Sequence, residues 1–127
     1  MRNKAIALGA ALCGLSVILG AFGAHALKAL VAEDQLRVFE TGVRYQFYHS
    51  LALIICGILP ASIPDKTIRL TRNLYVVGIL LFSGSLYLMT FLSTAQVGLG
   101  PVGILTPIGG LFLIAGWIAL VLGALKK

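Results

Sequence analysis

From Asn73 to Leu125 the sequence reads NLYVVGILLFSGSLYLMTFLSTAQVGLGPVGILTPIGGLFLIAGWIALVLGAL and contains no charged residue. A transmembrane helix needs only about 20 apolar residues, so this stretch is too long for one span and predicts a helical hairpin. We expect its turn at Ala95 to Gly103, where Gln, Gly and Pro residues interrupt the apolar pattern. The hairpin therefore predicts spans of about 74–92 and 106–125.

The remaining apolar runs predict two more spans, at about 5–24 and 45–63, the second of which ends near two prolines. For the last span of the chain we expect Thr106 as the N-cap and Pro107 in the first turn, where its missing N–H costs nothing. The predicted fold is a single all-α domain over 1–127 with four transmembrane helices.

Composition supports this class. The chain has 127 residues, of which 59% are hydrophobic and 11% charged, whereas a soluble domain is about 25% charged. The net charge is +6, but the basic residues stand at the ends of apolar runs and form no stripe with interleaved aromatics. The expected partner is therefore the lipid bilayer and not a nucleic acid.

A charged segment from Glu33 to Arg44 precedes the second span. Its apolar residues recur at helical spacing and continue into the span: Leu36, Phe39, Val43 and Phe47. This pattern predicts an amphipathic helix lying at the membrane surface in the first outer loop. A solvated loop that merely connects two spans is the alternative.

The N-terminal run has a competing interpretation. Two basic residues, the apolar run and the triplet Ala24-His25-Ala26 together resemble a cleavable signal peptide. The run is longer than the apolar region of a typical signal peptide, and further spans follow it. We therefore expect a retained transmembrane helix.

Orientation follows from the positive-inside rule, because every predicted loop is short. Seven of the ten basic residues fall at the two termini and in the second loop: Arg2, Lys4, Lys66, Arg69, Arg72, Lys126 and Lys127. The first loop has three basic residues offset by three acidic ones, and the third loop has none. Both termini are therefore expected in the cytoplasm.

Small residues form two stripes at helical spacing. They are Gly9, Cys13, Ser16, Gly20 and Gly23 in the first span, and Gly109, Gly116 and Gly123 in the fourth. Because lipid gives apolar helices no net drive to associate, close approach through small residues supplies the contact energy. The stripes predict tight helix contacts inside the bundle, or alternatively the interface of a homo-oligomer.

Polar residues suggest one candidate site near the outer boundary. His25 closes the first predicted span and His49 lies about one turn into the second, which predicts a similar depth for both. The complete candidate cluster is His25, Tyr45, Gln46, His49, Ser50, Thr90 and Thr106. Two such histidines could ligate haem or a metal, or transfer protons; anchoring of helix ends is the structural alternative.

Other chemistry has little support in the sequence. No charged residue falls inside a predicted span, so no carboxylate is available to orient a histidine beside a serine or to exchange protons for a cation. Cys13 and Cys56 lie inside apolar runs without metal-ligand spacing and are expected to pack as small hydrophobes. We therefore expect no catalytic constellation, no bound metal and no cofactor.

Four motifs carry a family resemblance. They read GAFGAHAL at 20–27, ETGVRYQFYHS at 40–50, LFSGSLY at 81–87, and TPIGG at 106–110 followed by AGW at 115–117. In this order they resemble the YgdD/YwdK family of small bacterial inner-membrane proteins, which is similar also to a small eukaryotic transmembrane protein. The resemblance implies a multi-pass inner-membrane protein and brings no reaction with it.

Two functions therefore remain open. The first is a structural or interaction role, as an accessory subunit of a larger membrane complex or as a homo-oligomer, favoured by the small-residue stripes and charge-free spans. The second is a binder or transporter of a small molecule or ion, with its site at the outer polar cluster around His25 and His49.

Overall fold

The computed structural model of the protein describes residues 1–96, 98 and 100–126, and these are helical without strands. The helices are α1 (Arg2–Ala24), α2 (Glu33–Ile58), α3 (Asp65–Thr94) and α4 (Val102–Leu125), with a short 3-10 turn at Leu27–Ala29. The all-α prediction is confirmed. Val97 and Leu99 of the predicted third turn, and Lys127, lie outside the described residues.

Three of the helices are long and apolar enough to cross a membrane. They are α1 with the turn that follows it, α3 and α4. Helix α2 is long enough, but its first half carries charges that lower its mean hydropathy below that of the other three. The membrane-protein class is therefore evident in three helices, and α2 differs from them in composition.

Each helix packs mainly against its neighbours in the chain: α1 on α2, α2 on α3, and α3 on α4. At one end, the Arg2 guanidinium donates to the carbonyl oxygens of Leu59 at 2.7 Å and Ile63 at 3.2 Å, and pairs with Asp65 at 3.2 Å. Gly123 of α4 packs there against Thr67. The start of α1 and the end of α4 therefore lie at this end, which we call the basal end; the opposite end is the apical end.

The amphipathic segment before Arg44 is helical, as predicted, and its apolar side packs against α1 and α3. It is the first half of α2, which runs unbroken from Glu33 to Ile58. Phe39 is fully buried there, between Gly23 of α1 and the ring of Tyr87 on α3, whose centroid lies 5.1 Å away. Of the apolar stripe in this helix, Phe39 is covered by protein, and Leu36, Val43 and Phe47 are half-buried.

Two helix starts also differ from expectation. Helix α4 begins at Val102 after Pro101, so Thr106 is not its N-cap and Pro107 lies inside the helix. Pro101 already supplies the start one turn earlier, and the Thr106 hydroxyl contacts the Ser85 hydroxyl on α3 instead. Helix α3 begins at Asp65, so the basic residues expected in the second loop occupy its first two turns.

The small-residue stripe of α1 lies against α2. A Cβ atom built on Gly9 would lie 2.6 Å from the Ser50 carbonyl oxygen, and one on Gly23 would lie 3.0 Å from the Phe39 ring. At Gly20 the nearest atom, on Val43, would be 3.6 Å away, an ordinary contact. Ser16 is buried and Cys13 is half-buried. The first stripe is therefore used within the bundle.

The stripe of α4 lies against α3 in the same way. A Cβ on Gly109 would overlap the backbone of Phe82, one on Gly116 the ring of Tyr75, and one on Gly123 the side chain of Thr67. The partner helices contribute glycines of their own, which the sequence analysis did not single out: Gly42, Gly57 and Gly78. Pairing of small residues from both sides lets the backbones approach closely.

Candidate functional site

A network of buried polar side chains surrounds the middle of α2. Gln46 is 2% exposed and joins three helices: its Nε2 donates to the Leu12 carbonyl oxygen on α1 at 3.0 Å, and its Oε1 accepts from the Tyr87 hydroxyl on α3 at 2.6 Å. Ser16 also donates to the Leu12 carbonyl, at 2.9 Å. Both ends of the Gln46 amide are therefore occupied by atoms of the chain itself.

His49 lies one turn further along α2 and is also buried. Its Nδ1 lies 2.8 Å from the Tyr45 carbonyl oxygen, and its Nε2 lies 3.0 Å from the indole Nε1 of Trp117 on α4. The carbonyl oxygen can only accept and the indole N–H can only donate. These contacts require the neutral tautomer that carries its proton on Nδ1, and they occupy both ring nitrogens.

The rings around His49 form an aromatic cluster. Tyr75 lies 5.3 Å from His49 and 5.1 Å from Trp117, and His49 lies 5.7 Å from Trp117, between ring centroids. The interplanar angles are tilted or edge-on, as aromatic pairs prefer. The cluster therefore joins α2, α3 and α4 in the middle of the bundle.

Two hydroxyls on α3, one of them in this cluster, have no partner among the described residues. The Tyr75 hydroxyl and the Thr71 Oγ1 belong to fully buried side chains one helical turn apart on α3. An unpaired polar group in a dry interior is costly. The interior is thus well paired at Gln46 and His49 and incompletely paired at these two positions.

The predicted similar depth of His25 and His49 is wrong. His25 is exposed and caps α1 at the apical end. Next to His49, Ser50 packs against Gly9, which precedes His25 by sixteen residues or about 24 Å of helix. The reason is that α2 begins at Glu33, twelve residues before Tyr45, so His49 lies far along the helix.

The other members of the predicted cluster are also distributed over separate contacts. Thr90 donates to the Leu86 carbonyl oxygen at 3.0 Å and lies 3.4 Å from that of Gln35. Thr106 pairs with Ser85 at 2.6 Å, and Ser50 bonds back to the Gln46 carbonyl. Four members of the predicted cluster do lie close together, because they belong to two successive turns of α2: Tyr45, Gln46, His49 and Ser50.

This geometry does not suit ligation of a haem or a metal by both histidines, the possibility that the sequence left open. His25 and His49 are too far apart to ligate one iron. Across the described part of the chain, no group of three or more His, Cys, Asp and Glu side chains is arranged to hold a metal ion. Both cysteines are free thiols; Cys56 is buried in the apolar core, and Cys13 is half-buried on α1.

The sequence analysis did not single out Tyr87 and Trp117, which are the main partners of the polar residues on α2. Tyr87 lies one turn after Ser83, which donates to the Gly42 carbonyl oxygen at 2.6 Å, so one face of α3 meets the polar face of α2. Trp117 follows Gly116 of the small-residue stripe. The available signal was the spacing of Ser83 and Tyr87, which places both on one face.

The apolar helices and the polar interior define a small, all-helical membrane protein. The chain belongs to the family described as "Protein of unknown function (DUF423)", which it matches over residues 19–110. It is 40% identical over 121 residues to a UPF0382 membrane protein of Staphylococcus haemolyticus, covering 95% of this chain and 94% of that one.

Further relatives agree. The UPF0382 membrane protein YwdK of Bacillus subtilis is 40% identical over 122 residues, covering 95% of each chain. A UPF0382 membrane protein of Haemophilus influenzae is 37% identical over 127 residues, covering 100% of this chain and 98% of that one. The resemblance seen in the four motifs is therefore confirmed. No solved structure matches this chain.

Proposed function

We propose that this protein spans the bacterial inner membrane four times, with both termini in the cytoplasm, and acts through its lateral surface as a homo-oligomer or accessory subunit. The observation that carries the proposal is a second small-residue face on α1. Ala7, Ala11 and Gly14 are exposed on the side opposite Gly9, and a Cβ on Gly14 would meet open space. In a bilayer, such a face is suited to close contact with another helix.

Helix α2 is the fourth span. Its 26 residues extend about 39 Å, more than the hydrocarbon core requires. Gln46 and His49 satisfy their polar atoms within the bundle, so they need no water. The outward side of the same stretch is largely apolar, with exposed Leu51, Ile55 and Ile58.

The charges support the orientation. Arg2, Lys4, Lys66, Arg69, Arg72 and Lys126 all belong to the basal ends of α1, α3 and α4. The apical end has mixed charges, with Glu33 and Asp34 opening α2. The positive-inside rule assigns the basal end to the cytoplasm. Reporter fusions at the two termini test this orientation, and termini on opposite faces would contradict it.

The interaction role is tested by photo-crosslinking in membranes. A benzoylphenylalanine at Ala11, on the second face, is expected to form a covalent adduct with a protein whose mass identifies a second copy or another subunit. The matched control is Ile114 on α4, which is 56% exposed. Counted from the basal ends of their helices, Ala11 and Ile114 lie about 14 and 17 Å along. Adducts with lipid alone at both positions, and a monomeric mass in mild detergent, would contradict the proposal.

A further inference from the structure

Arg44 lies at a membrane depth where the sequence analysis expected no charged side chain. Val43, its neighbour, packs against Gly20, and Arg44 lines cavities that extend from Gly23 to Ser16 of α1. Counting from Lys4 at the basal end, Gly20 lies about 24 Å and Ser16 about 18 Å along α1. With a hydrocarbon core of about 30 Å, this places Arg44 below the apical boundary.

Arg44 lines a groove between α1 and α2. Two adjoining cavities, of about 250 and 260 Å³, share Val43 and Arg44 as lining residues. The other side chains along the groove are mostly apolar, with Val17 and Phe47 at its deeper part, and Gly20 keeps it open. An apolar channel of this kind suits an acyl chain.

Glu40 is the second charged residue of the groove, one turn from Arg44 on α2. Both side chains are exposed, and neither takes part in the ion pairs found in the described residues, which are Arg2–Asp65 and Arg37–Glu33. Since α2 begins at the apical end, Glu40 lies about 6 Å nearer to the apical water than Arg44. Both side chains lean toward that end, because Cβ atoms tilt toward the helix N-terminus.

This order of charges matches one class of lipid headgroup. In phosphatidylethanolamine the phosphate lies next to the glycerol and acyl chains, and the ammonium lies further out. We propose that the groove binds one phosphatidylethanolamine of the apical leaflet, with its phosphate on Arg44 and its ammonium on Glu40. An acyl chain then lies over Val17, Val43 and Phe47.

The physical basis is complementary hydrogen bonding. The guanidinium fork of Arg44 matches phosphate oxygens, and a carboxylate accepts the N–H groups of a primary ammonium. Phosphatidylcholine has no N–H to offer Glu40, and phosphatidylglycerol has no cation to pair with it. The proposal rests on the proposed function, because a lipid reaches this groove only if α2 lies in the bilayer.

The test is lipid competition followed by native mass spectrometry. The purified full-length protein is offered phosphatidylethanolamine, phosphatidylglycerol and phosphatidylcholine with identical acyl chains in equal amounts. We expect the ethanolamine adduct to exceed each of the others about fivefold or more. Equal adducts of the three lipids on the unmodified protein would overturn the proposal.

Charge variants separate the two contacts. Arg44→Gln is expected to lower adducts of all three lipids about tenfold, since each loses its phosphate partner. Glu40→Gln is expected to lower only the ethanolamine adduct, to the level of phosphatidylcholine. Arg37→Gln, a control on the same helix whose cation pairs with Glu33 instead, should leave all adducts unchanged. Unchanged adducts in Arg44→Gln would overturn the proposal.

A steric variant tests the groove itself. Gly20→Leu places a side chain in the groove while its Cβ makes only an ordinary contact with Val43, so the helix pair is retained. Gly84→Leu is the matched control, because Gly84 faces open space on α3 near the same depth. We expect Gly20→Leu to lose the ethanolamine adduct and Gly84→Leu to keep it; the same adducts in both would count against the groove.

The two proposals fail separately. If the terminal reporters show both tails in the cytoplasm and lipid selectivity is missing, only the lipid site is wrong. If the tails lie on opposite faces, the four-span proposal is wrong whatever lipid is retained.

Discussion

The indole N–H of Trp117 on α4 donates to Nε2 of His49 on α2 across 3.0 Å. The two helices are not neighbours in the chain, and the bond joins them through the middle of the bundle. Because Nδ1 donates to the Tyr45 carbonyl oxygen, the imidazole has one orientation and one tautomer in which both contacts are made. A second proton on Nε2 would face the indole N–H, so the contact requires the neutral ring.

We expect this contact to show as a coupling energy. In a double-mutant cycle of His49→Phe and Trp117→Phe, we expect a coupling energy of about 0.6 kcal/mol and at most about 1.7 kcal/mol, the average and the maximum for hydrogen bonds inside a membrane protein. Equilibrium unfolding in mixed micelles of detergent and SDS measures it. Strict additivity of the two substitutions would mean that the side chains contribute independently.

Two tyrosines on α3 are expected to respond oppositely to the loss of a hydroxyl. Tyr87 donates to Gln46, so Tyr87→Phe leaves a buried acceptor unpaired and should cost about 1–3 kcal/mol of unfolding free energy. The Tyr75 hydroxyl is buried without a partner in the described structure, so Tyr75→Phe should leave stability unchanged or raise it. The same unfolding assay compares them. A loss in Tyr75→Phe equal to that in Tyr87→Phe would mean that a bound water or ligand satisfies this hydroxyl.

The depth of His49 illustrates what sequence reasoning could and could not predict. Contact with lipid requires long apolar runs, and close helix contact requires small residues at helical spacing. Both patterns can be recognised in a single sequence. The sequence predicted a helix from Glu33 but not its place in the bundle, because charged residues from Glu33 to Arg44 look the same on a surface helix and on the outer side of a packed helix. Starting the span at Tyr45, twelve residues after the start of α2, shifted the expected position of His49 by about 18 Å and grouped it with His25.

The same error affected Arg44. At the edge of the predicted span it resembled an ordinary interfacial cation, and only the packing of Val43 on Gly20 shows how far along α1 it lies. Hydrogen-bond partners such as Trp117 depend on the rotation of α4 relative to α2. That rotation is set by packing between distant parts of the chain, so no local pattern encodes it.

Close approach of α3 and α4 predicts a sharp contrast between two glycines. A Cβ on Gly109 would overlap the backbone of Phe82, which cannot move without shifting the helix. Gly109→Ala should therefore cost more than about 2 kcal/mol of unfolding free energy, at the upper end of overpacking effects. Gly84→Ala on the open side of α3 should be neutral or stabilising by up to about 1 kcal/mol, because alanine favours helix. Equal effects at the two positions would contradict the observed contact between α3 and α4.

Arg2 should stabilise the basal end chiefly through carbonyl oxygens, and less through its ion pair. Its guanidinium donates to Leu59 and Ile63 in the connection between α2 and α3, where a helix end leaves carbonyls without helical partners. Arg2→Ala is expected to cost about 1–3 kcal/mol of unfolding free energy. Asp65→Asn removes only an ion pair whose carboxylate is 69% exposed, and should cost less than about 1 kcal/mol. Thermal and SDS unfolding of the two variants measures the difference. A larger loss in Asp65→Asn than in Arg2→Ala would instead assign the stabilisation to the ion pair.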